Sequence, residues 1–457
     1  MIAIEVDAAP LVVGFDDVHD DPVRGLTVTL GPSNVDRPIW TYWFPMMCRL
    51  RPDLMRPVPI GTLDAATRPF VYPIEVRFEA EQWSRDAPPG EPVAVLSPAA
   101  ERAVGTGRVI VVISIAHEGN SLALEPGSDA PVLLDRVAAF ARCYGLPPER
   151  LWFLTGSLDG VASVAAWRQA RGLATVPFTV RSTEPFSAFT GACVRESLRH
   201  GRAPTAAVDF ARRHPHLVGW RSTTVSWTAR PFPGLGAAAP DEPARFRYAC
   251  LNRMLRPHRW QVLRRLWTAG ALDKGLVSFP LPDAEDLVDL GVDPAAPATR
   301  ELLSRLPLEI DRTVFLDSAR IFGDNAEFVG LHPDVVLRDC AMEIVTETLQ
   351  DGRFVSEKVF KSLLGRGPAV VVGTVGTLDY LHSIGVRTWG DRVDESYDRI
   401  ADPAARLDAA VDAALSYVDG DGADATAVRA ENLRWLLDAP KPWDALTREL
   451  AQTLAGL

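Results

Sequence analysis

Cysteine is sparse and scattered. The 457 residues hold five, at Cys48, Cys143, Cys193, Cys250 and Cys340, and no two form a CxxC pair. That spacing excludes the usual zinc and dithiol motifs and reads as separate free thiols in a reducing compartment. The eight histidines form no HxH or HExxH pattern. The acidic runs Asp16-Asp17 with Asp20-Asp21, and Asp419-Gly420-Asp421, lack a regular ligand spacing, so no metal site is expected. GxSxG, P-loop and GxGxxG motifs are missing too, which removes several common enzyme classes. No run of 18 apolar residues is free of charge or proline, so no transmembrane helix is expected. The opening MIAIEVDAAPLVVGFDDVHDD lacks a basic region and does not read as a signal peptide. A soluble, cytoplasmic protein is expected. Positive charge is in deficit: 48 Lys and Arg stand against 59 Asp and Glu, a formal net charge of −11. That balance argues against a protein whose main task is to coat nucleic acid or an anionic membrane.

What is present is an ordinary globular composition, 47% hydrophobic and 23% charged, in a chain long enough for two or three domains. Residues 1–100 are rich in Pro, Asp and Arg and read as short strands and loops. They contain an aromatic cluster, IWTYWF, with Trp40, Trp43 and Phe44, which reads as a packing face. Whether this segment belongs to the first domain or forms a cap is open at this stage.

From residue 108 the pattern changes. RVIVVISIA (108–116) is a near-continuous β-branched run, as in a strand buried on both faces. LLDRVAAFARCYG (133–145) has helical spacing and ends at Gly145. LPPERLWFLTGS, VASVAAWRQARG and ATVPFTVRS then read as strand, helix and strand. This alternation predicts a doubly wound parallel sheet. Residues 229–245, crowded with Pro, Gly and Ala, read as a linker. The alternation then restarts. FRYACLNR, VFLDS, MEIVTET, AVVVGT and VRTWG read as strands, while PHRWQVLRRLWTAG, VSEKVFKSLLGRG, 403–418 and 426–454 read as helices. The expected architecture is α/β, with two Rossmann-like domains facing across a cleft: 1–235 for an acceptor and 246–457 for a donor. The last helix is a candidate to pack back on the first domain.

Chemistry concentrates in 343–373. A strand ends at Glu347, a loop follows, and a helix opens at Ser356-Glu357-Lys358 with Ser356 as N-cap. Helix-end N–H groups with Lys358 beside them suit a diphosphate, and Glu357 suits the two hydroxyls of a ribose. Upstream, 248–278 carries Asn252 at a strand end, then Arg256 and Arg259, a helix, and Asp273 with Gly275.

The order and spacing of these residues resemble the donor domain of the α-1,3-fucosyltransferase family over about 245–400. There a strand ending in Glu-Asn leads to Thr-Glu-Lys on a helix and then to a Pro-containing apolar strand. The matching positions are Glu347-Thr348, Ser356-Glu357-Lys358 and Pro368 to Gly373. Thr348 stands where the family has Asn, and Ser356 where it has Thr. The resemblance implies an inverting glycosyltransferase of the two-Rossmann (GT-B) type. Its nucleoside-diphosphate sugar would be GDP-linked and fucose-like, a co-substrate with no separate cofactor. Arg256 or Arg259 would contact the diphosphate, a task suited to the planar guanidinium fork, and Glu347 would lie near the sugar or phosphate. The acceptor is an unassigned hydroxyl, on a glycan, a small molecule or a modified nucleic acid. The Arg-rich segment 193–213 keeps a modified DNA base in view, and a non-catalytic nucleotide- or partner-binding protein is the alternative outside enzymes. An inverting transfer needs a base. Glu118, with His117 as substitute or partner, follows the strongest N-terminal strand, where ligands of such sheets bind. Asp159 is the weaker candidate.

Overall fold

The computed structural model describes residues 10–15, 17–21, 25–29, 53–64, 68–76, 90–116, 122, 132–200, 202–208, 223–231, 243–252, 254–308, 334–348, 352–419 and 426–457. The chain divides into two compact units. The first comprises Met1–Ala192, Ala206–Ser226 and Pro440–Leu457, the second Cys193–Thr205 and Trp227–Ala439.

The first unit opens with β1 (Leu11–Phe15), β2 (Asp17–Asp21), β3 (Gly25–Thr29), β4 (Met55–Pro59) and β5 (Phe70–Glu75). It continues with α1 (Pro98–Gly105), β6 (Val109–Ile115), α2 (Leu133–Cys143), β7 (Leu151–Thr155), α3 (Gly160–Ala170) and β8 (Thr179–Ser182). Six strands form one sheet in the order β4-β1-β5-β6-β7-β8, and every pair is parallel. β2 and β3 pair antiparallel. All seven residues of β6 and all five of β7 are buried, the pattern of strands covered on both faces. α2 buries Leu133, Leu134, Val137, Phe140 and Ala141, one helical stripe. It terminates before Gly145, whose φ of +59° suits glycine. β1 approaches β5 so closely that a Cβ on Gly14 would lie 2.6 Å from the Phe70 ring. β1, β4 and β5, all within residues 1–100, thus share one sheet with β6–β8.

α4 (Phe186–His200) follows β8, and β9 (Arg202–Val208) with β10 (Thr223–Pro231) makes a two-stranded sheet. The second unit then supplies β11 (Ala249–Leu251), α5 (Pro257–Thr268), β12 (Leu276–Ser278), α6 (Ala284–Asp289), α7 (Pro297–Leu303) and α8 (Asp334–Asp339). It goes on through β13 (Glu343–Thr346), α9 (Glu357–Ser362), β14 (Ala369–Val372), α10 (Thr377–Ser383), α11 (Pro403–Asp419) and α12 (Thr426–Asp438). Its sheet is parallel, in the order β12-β11-β13-β14. The chain leaves β11 toward β12 and returns on the other side as β13, so the strand order reverses between β11 and β13. In open parallel sheets, ligands bind off the carboxyl ends of strands at such a reversal.

Three expectations change. VRTWG (386–390) is not a strand: the Arg387 N–H donates to Asn432 Oδ1 at 3.0 Å, and Asn432 Nδ2 donates back to the Arg387 carbonyl at 2.8 Å. A side-chain amide does there what a neighbouring strand would do. The helix expected over 426–454 is two, because Pro440 and Pro442 interrupt it. α13 (Pro442–Ala455) follows the break and lies in the first unit. There Arg181 of β8 stacks 5.2 Å from the Trp152 ring centroid and its Nε donates to both carboxylate oxygens of Glu449 on α13 at 3.0 Å. Finally, α9 ends at Ser362, short of the full VSEKVFKSLLGRG window that reads as helical. VFLDS and the aromatic cluster at 39–44 lie outside the described residues, as does 232–242 of the linker. No helix among the described residues is long and apolar enough to cross a membrane.

Candidate functional site

The reversal point of the second sheet gathers most of the residues singled out by sequence. β11 delivers Asn252, which is 2% exposed. Its Oδ1 accepts from Thr346 Oγ1 of β13 at 2.6 Å, and its Nδ2 points to Cys250 Sγ at 3.3 Å. The Asn252 amide therefore pins two strands together.

Glu347 follows β13 and is fully buried. One carboxylate oxygen accepts from the Ser356 N–H at 2.8 Å, and the other accepts from the Thr348 N–H at 3.3 Å. Burial raises its pKa, while Lys358 and the bonds from Ser356 oppose the shift. Its carboxylate is turned onto the main chain of the loop that leads to α9, so it braces that loop. This differs from the sugar or phosphate contact expected from the resemblance.

The Glu347 carbonyl is equally engaged. His258 Nε2 lies 2.7 Å from it, and Arg259 Nη2 donates to it at 3.4 Å. Since a carbonyl only accepts, the His258 proton sits on Nε2. His258 had no distinguishing sequence pattern. Its pKa is pushed down to about 4 by burial, with Arg259, Arg256 and Lys358 all adding to the shift. Those three cations register on one imidazole, a local positive field in a protein of net charge −11.

α5 begins beyond Arg256, whose side chain gives no cap to the helix. Arg259 sits in the first turn and is 4% exposed. Its Nη1 donates to the Met254 carbonyl at 3.0 Å, while its buried Nε has no hydrogen-bond partner. Burial and Arg256 lower its pKa, and Glu347, Cys250 and Glu357 counter that.

α9 has Ser356 as N-cap, its Oγ accepting from the Lys358 N–H. Lys358 Nζ reaches Thr348 Oγ1 at 3.1 Å and Ser356 Oγ at 3.3 Å. It has hydroxyl partners and, among the described residues, no ion pair. Glu357 is 5% exposed, and no described residue donates a hydrogen bond to it. The start of α10 is already occupied: Asp398 Oδ2 accepts from the Leu378 and Asp379 N–H groups at 3.1 and 3.3 Å. Of the acidic stretch 394–398, Asp398 and Tyr397 are thus packed inside. Asp273 forms an ion pair with Arg305 at 2.6 Å, and a Cβ on Gly275 would fall 2.4 Å from the Tyr248 ring. Both serve packing.

His117 and Glu118 lie outside the described residues, as do most side chains of 193–213. Asp159 is at the N-cap position of α3 without capping it. Among the described residues no group of His, Cys, Asp and Glu forms a metal cluster.

No protein-family model matches this chain, and no curated protein matches it. Among solved structures it is similar to a mutant of S. aureus TarM in complex with fondaparinux, alpha-GlcNAc-glycerol and UDP. The TM-score is 0.34 and the identity 9%, over 78% of this chain and 54% of that one. This chain therefore spans about half the length of that protein.

Proposed function

We propose that the protein is a glycosyltransferase whose second unit binds a nucleoside-diphosphate sugar at the β11/β13 reversal. The observation that carries this reading is Arg259. This guanidinium is nearly fully buried and, among the described residues, has one N–H lacking an acceptor and no carboxylate in ion-pair contact, so its two carbonyl bonds and the Glu347 and Glu357 charges offset its desolvation only in part. A bound anion would supply the missing acceptor. Arg256 and Lys358 lie close enough to act with it on His258, so the anion would meet three positive charges, which suits a diphosphate.

In this reading Arg259, Arg256 and Lys358 hold the diphosphate and stabilise the charge that develops as the sugar departs. Glu357, without a donor of its own, accepts from the ribose hydroxyls. Asn252, Thr348, Ser356 and Glu347 keep these groups in place, with Glu347 acting through the backbone. The acceptor hydroxyl loses its proton to Glu118, or to His117, as its oxygen bonds to the anomeric carbon. The bond from that carbon to the diphosphate breaks, with inversion. A GDP-linked, fucose-like sugar is the donor the sequence resemblance favours.

The test is thermal stabilisation by a panel of nucleoside diphosphates and nucleotide sugars, because a ligand selective for the folded state raises its melting temperature. At 100 times Kd that stabilisation is about 2.7 kcal/mol. One nucleoside diphosphate should raise Tm in the native protein and fail to do so in Lys358→Ala. An unchanged Tm across the panel would sink the proposal. Stabilisation by a nucleotide, with no transfer or hydrolysis of any sugar derivative, would leave a nucleotide-binding protein without turnover.

A further inference from the structure

The first unit carries a second concentration of unmet polar groups, away from the residues discussed so far. β8 ends at Ser182, and α4 starts four residues later at Phe186. In this stretch five side-chain oxygens are buried and, among the described residues, lack a hydrogen bond of ordinary geometry: Ser182 Oγ, Thr183 Oγ1, Glu184 Oε2, Ser187 Oγ and Thr190 Oγ1; the Ser187 side chain still lies close enough to the Glu184 carboxyl to act on it. Thr183, Glu184, Ser187 and Thr190 are between 0% and 4% exposed. Buried polar groups are nearly always paired, so a run of orphans within nine residues calls for a cause. A hydroxyl inside a helix usually finds the carbonyl four residues back; Ser187 and Thr190 do not.

Local geometry explains how they converge. The Thr183 N–H donates to the Thr155 carbonyl at 2.9 Å, which fixes the turn against the end of β7. Glu184 Oε1 accepts from the Ser187 N–H at 2.6 Å, so the carboxyl group caps α4 and lies against Ser187. Thr190 is three residues further on, on the same helix face. Gly160 packs closely against this turn: a Cβ there would fall 2.2 Å from Thr155 Cγ2 and 3.0 Å from Ser182 Oγ. All of this occurs beyond the carboxyl ends of β7 and β8, the end of a parallel sheet where ligands are held.

We propose that the segment 182–190 is a binding site for a neutral, hydroxyl-rich ligand of the saccharide class. Ser and Thr hydroxyls both donate and accept, as sugar hydroxyls do. Burial pushes the Glu184 carboxyl up to about 8, so it carries its proton at neutral pH and offers a donor. A cation would lack an ionised carboxylate there, and Lys441 bears electrostatically on the same group. An anion would meet no charged donor among the five atoms. The oxygens are covered in the chain as it stands, so binding has to displace a neighbour. If the protein is the transferase proposed above, this site is where its acceptor binds, and that role alone rests on the transferase reading.

The experiment is thermal melting of the full chain with low-millimolar methyl hexosides, against the same concentration of sucrose, in native protein, Glu184→Gln and Ser187→Ala. Gln retains the oxygen that accepts from Ser187, so α4 keeps its cap. At least one methyl hexoside should raise Tm in the native protein, and both substitutions should abolish the shift. The nucleoside-diphosphate shift, read in the same samples, should survive both. A native protein indifferent to every hexoside, or a shift retained in both variants, overturns the proposal. Loss of the nucleotide shift in Lys358→Ala reports on the second unit separately.

Discussion

The imidazole of His258 donates from Nε2 to the main-chain carbonyl of Glu347 at 2.7 Å, joining residues 89 apart in sequence. Through this bond the first turn of α5 and the end of β13 form one framework, and Arg259 reinforces it from the next position.

Burial of this imidazole, against the opposing effect of the bond, gives stability a pH dependence. His258 titrates at about 4 when folded, against about 6.5 when unfolded. The unfolded chain therefore binds the proton first, and folding stability falls as pH drops from about 6.5 to about 4. The loss is at most on the order of 3 kcal/mol. Chemical denaturation of native protein and His258→Gln across that range should show the slope shrinking in the variant. Equal slopes would remove His258 as its source.

Glu184 acts with the opposite sign. Its folded pKa is raised to about 8 from 4.5, so its contribution is complete below pH 4.5 and disappears as pH rises through 8. Glu184→Gln should flatten the decline of stability between about pH 4.5 and pH 8. A decline identical to that of the native protein would place the titrating group elsewhere.

Glu347→Ala removes the acceptor of the buried Ser356 N–H and of the part-buried Thr348 N–H. At roughly 1–3 kcal/mol for each donor left unsatisfied, it should lower stability more than Lys358→Ala does, since Lys358 bonds only to hydroxyls at the rim. Urea midpoints of the two variants decide this, and a larger shift in Lys358→Ala would contradict the bracing role.

Arg259→Lys should weaken nucleoside-diphosphate binding by about tenfold or more, because a point charge replaces a planar fork worth about 1.5–3 kcal/mol for a charged hydrogen bond. Calorimetric titration with the nucleotide that stabilises the native protein gives the comparison. Unchanged affinity would move the anion to Arg256 and Lys358.

Gly367→Ala should prevent proper folding. A Cβ there would lie 1.7 Å from the Ala341 carbonyl oxygen, a backbone atom that cannot swing away. Overpacking of this kind costs about 1–3 kcal/mol or more. A circular dichroism melt indistinguishable from native would show the backbone yielding instead.

Legibility in the sequence followed physical simplicity. β6 and β14 are buried, largely apolar runs, and Ser356 caps α9 by accepting from the Lys358 N–H two residues on, so short windows carry the signal. β4 and β5 hide because Pro57, Pro59 and Pro73 lie within them. β4 is an edge strand, where proline costs little. The ladder between β1 and β5 is brief, with Val13 opposite Val71. VRTWG has the composition of a strand, but its main-chain bonds go to Asn432, a choice made by tertiary structure. Asn252 and Glu347 were recognisable as positions; their side-chain duties were not, since these depend on Thr346, Ser356 and Thr348. His258 was invisible for the same reason: its acceptor is a carbonyl, which no residue type encodes.

The return of α13 to the first unit sets a timetable for biosynthesis. The six-stranded sheet and its early helices leave the ribosome before residues 193–439, and the helix that carries Glu449 is made after them. At roughly 5–20 residues per second, Arg181 waits roughly ten to fifty seconds for Glu449, its ion-pair partner. During that interval the edge at β8 is without the helix that packs against it in the finished protein, and a nascent-chain chaperone would find it accessible.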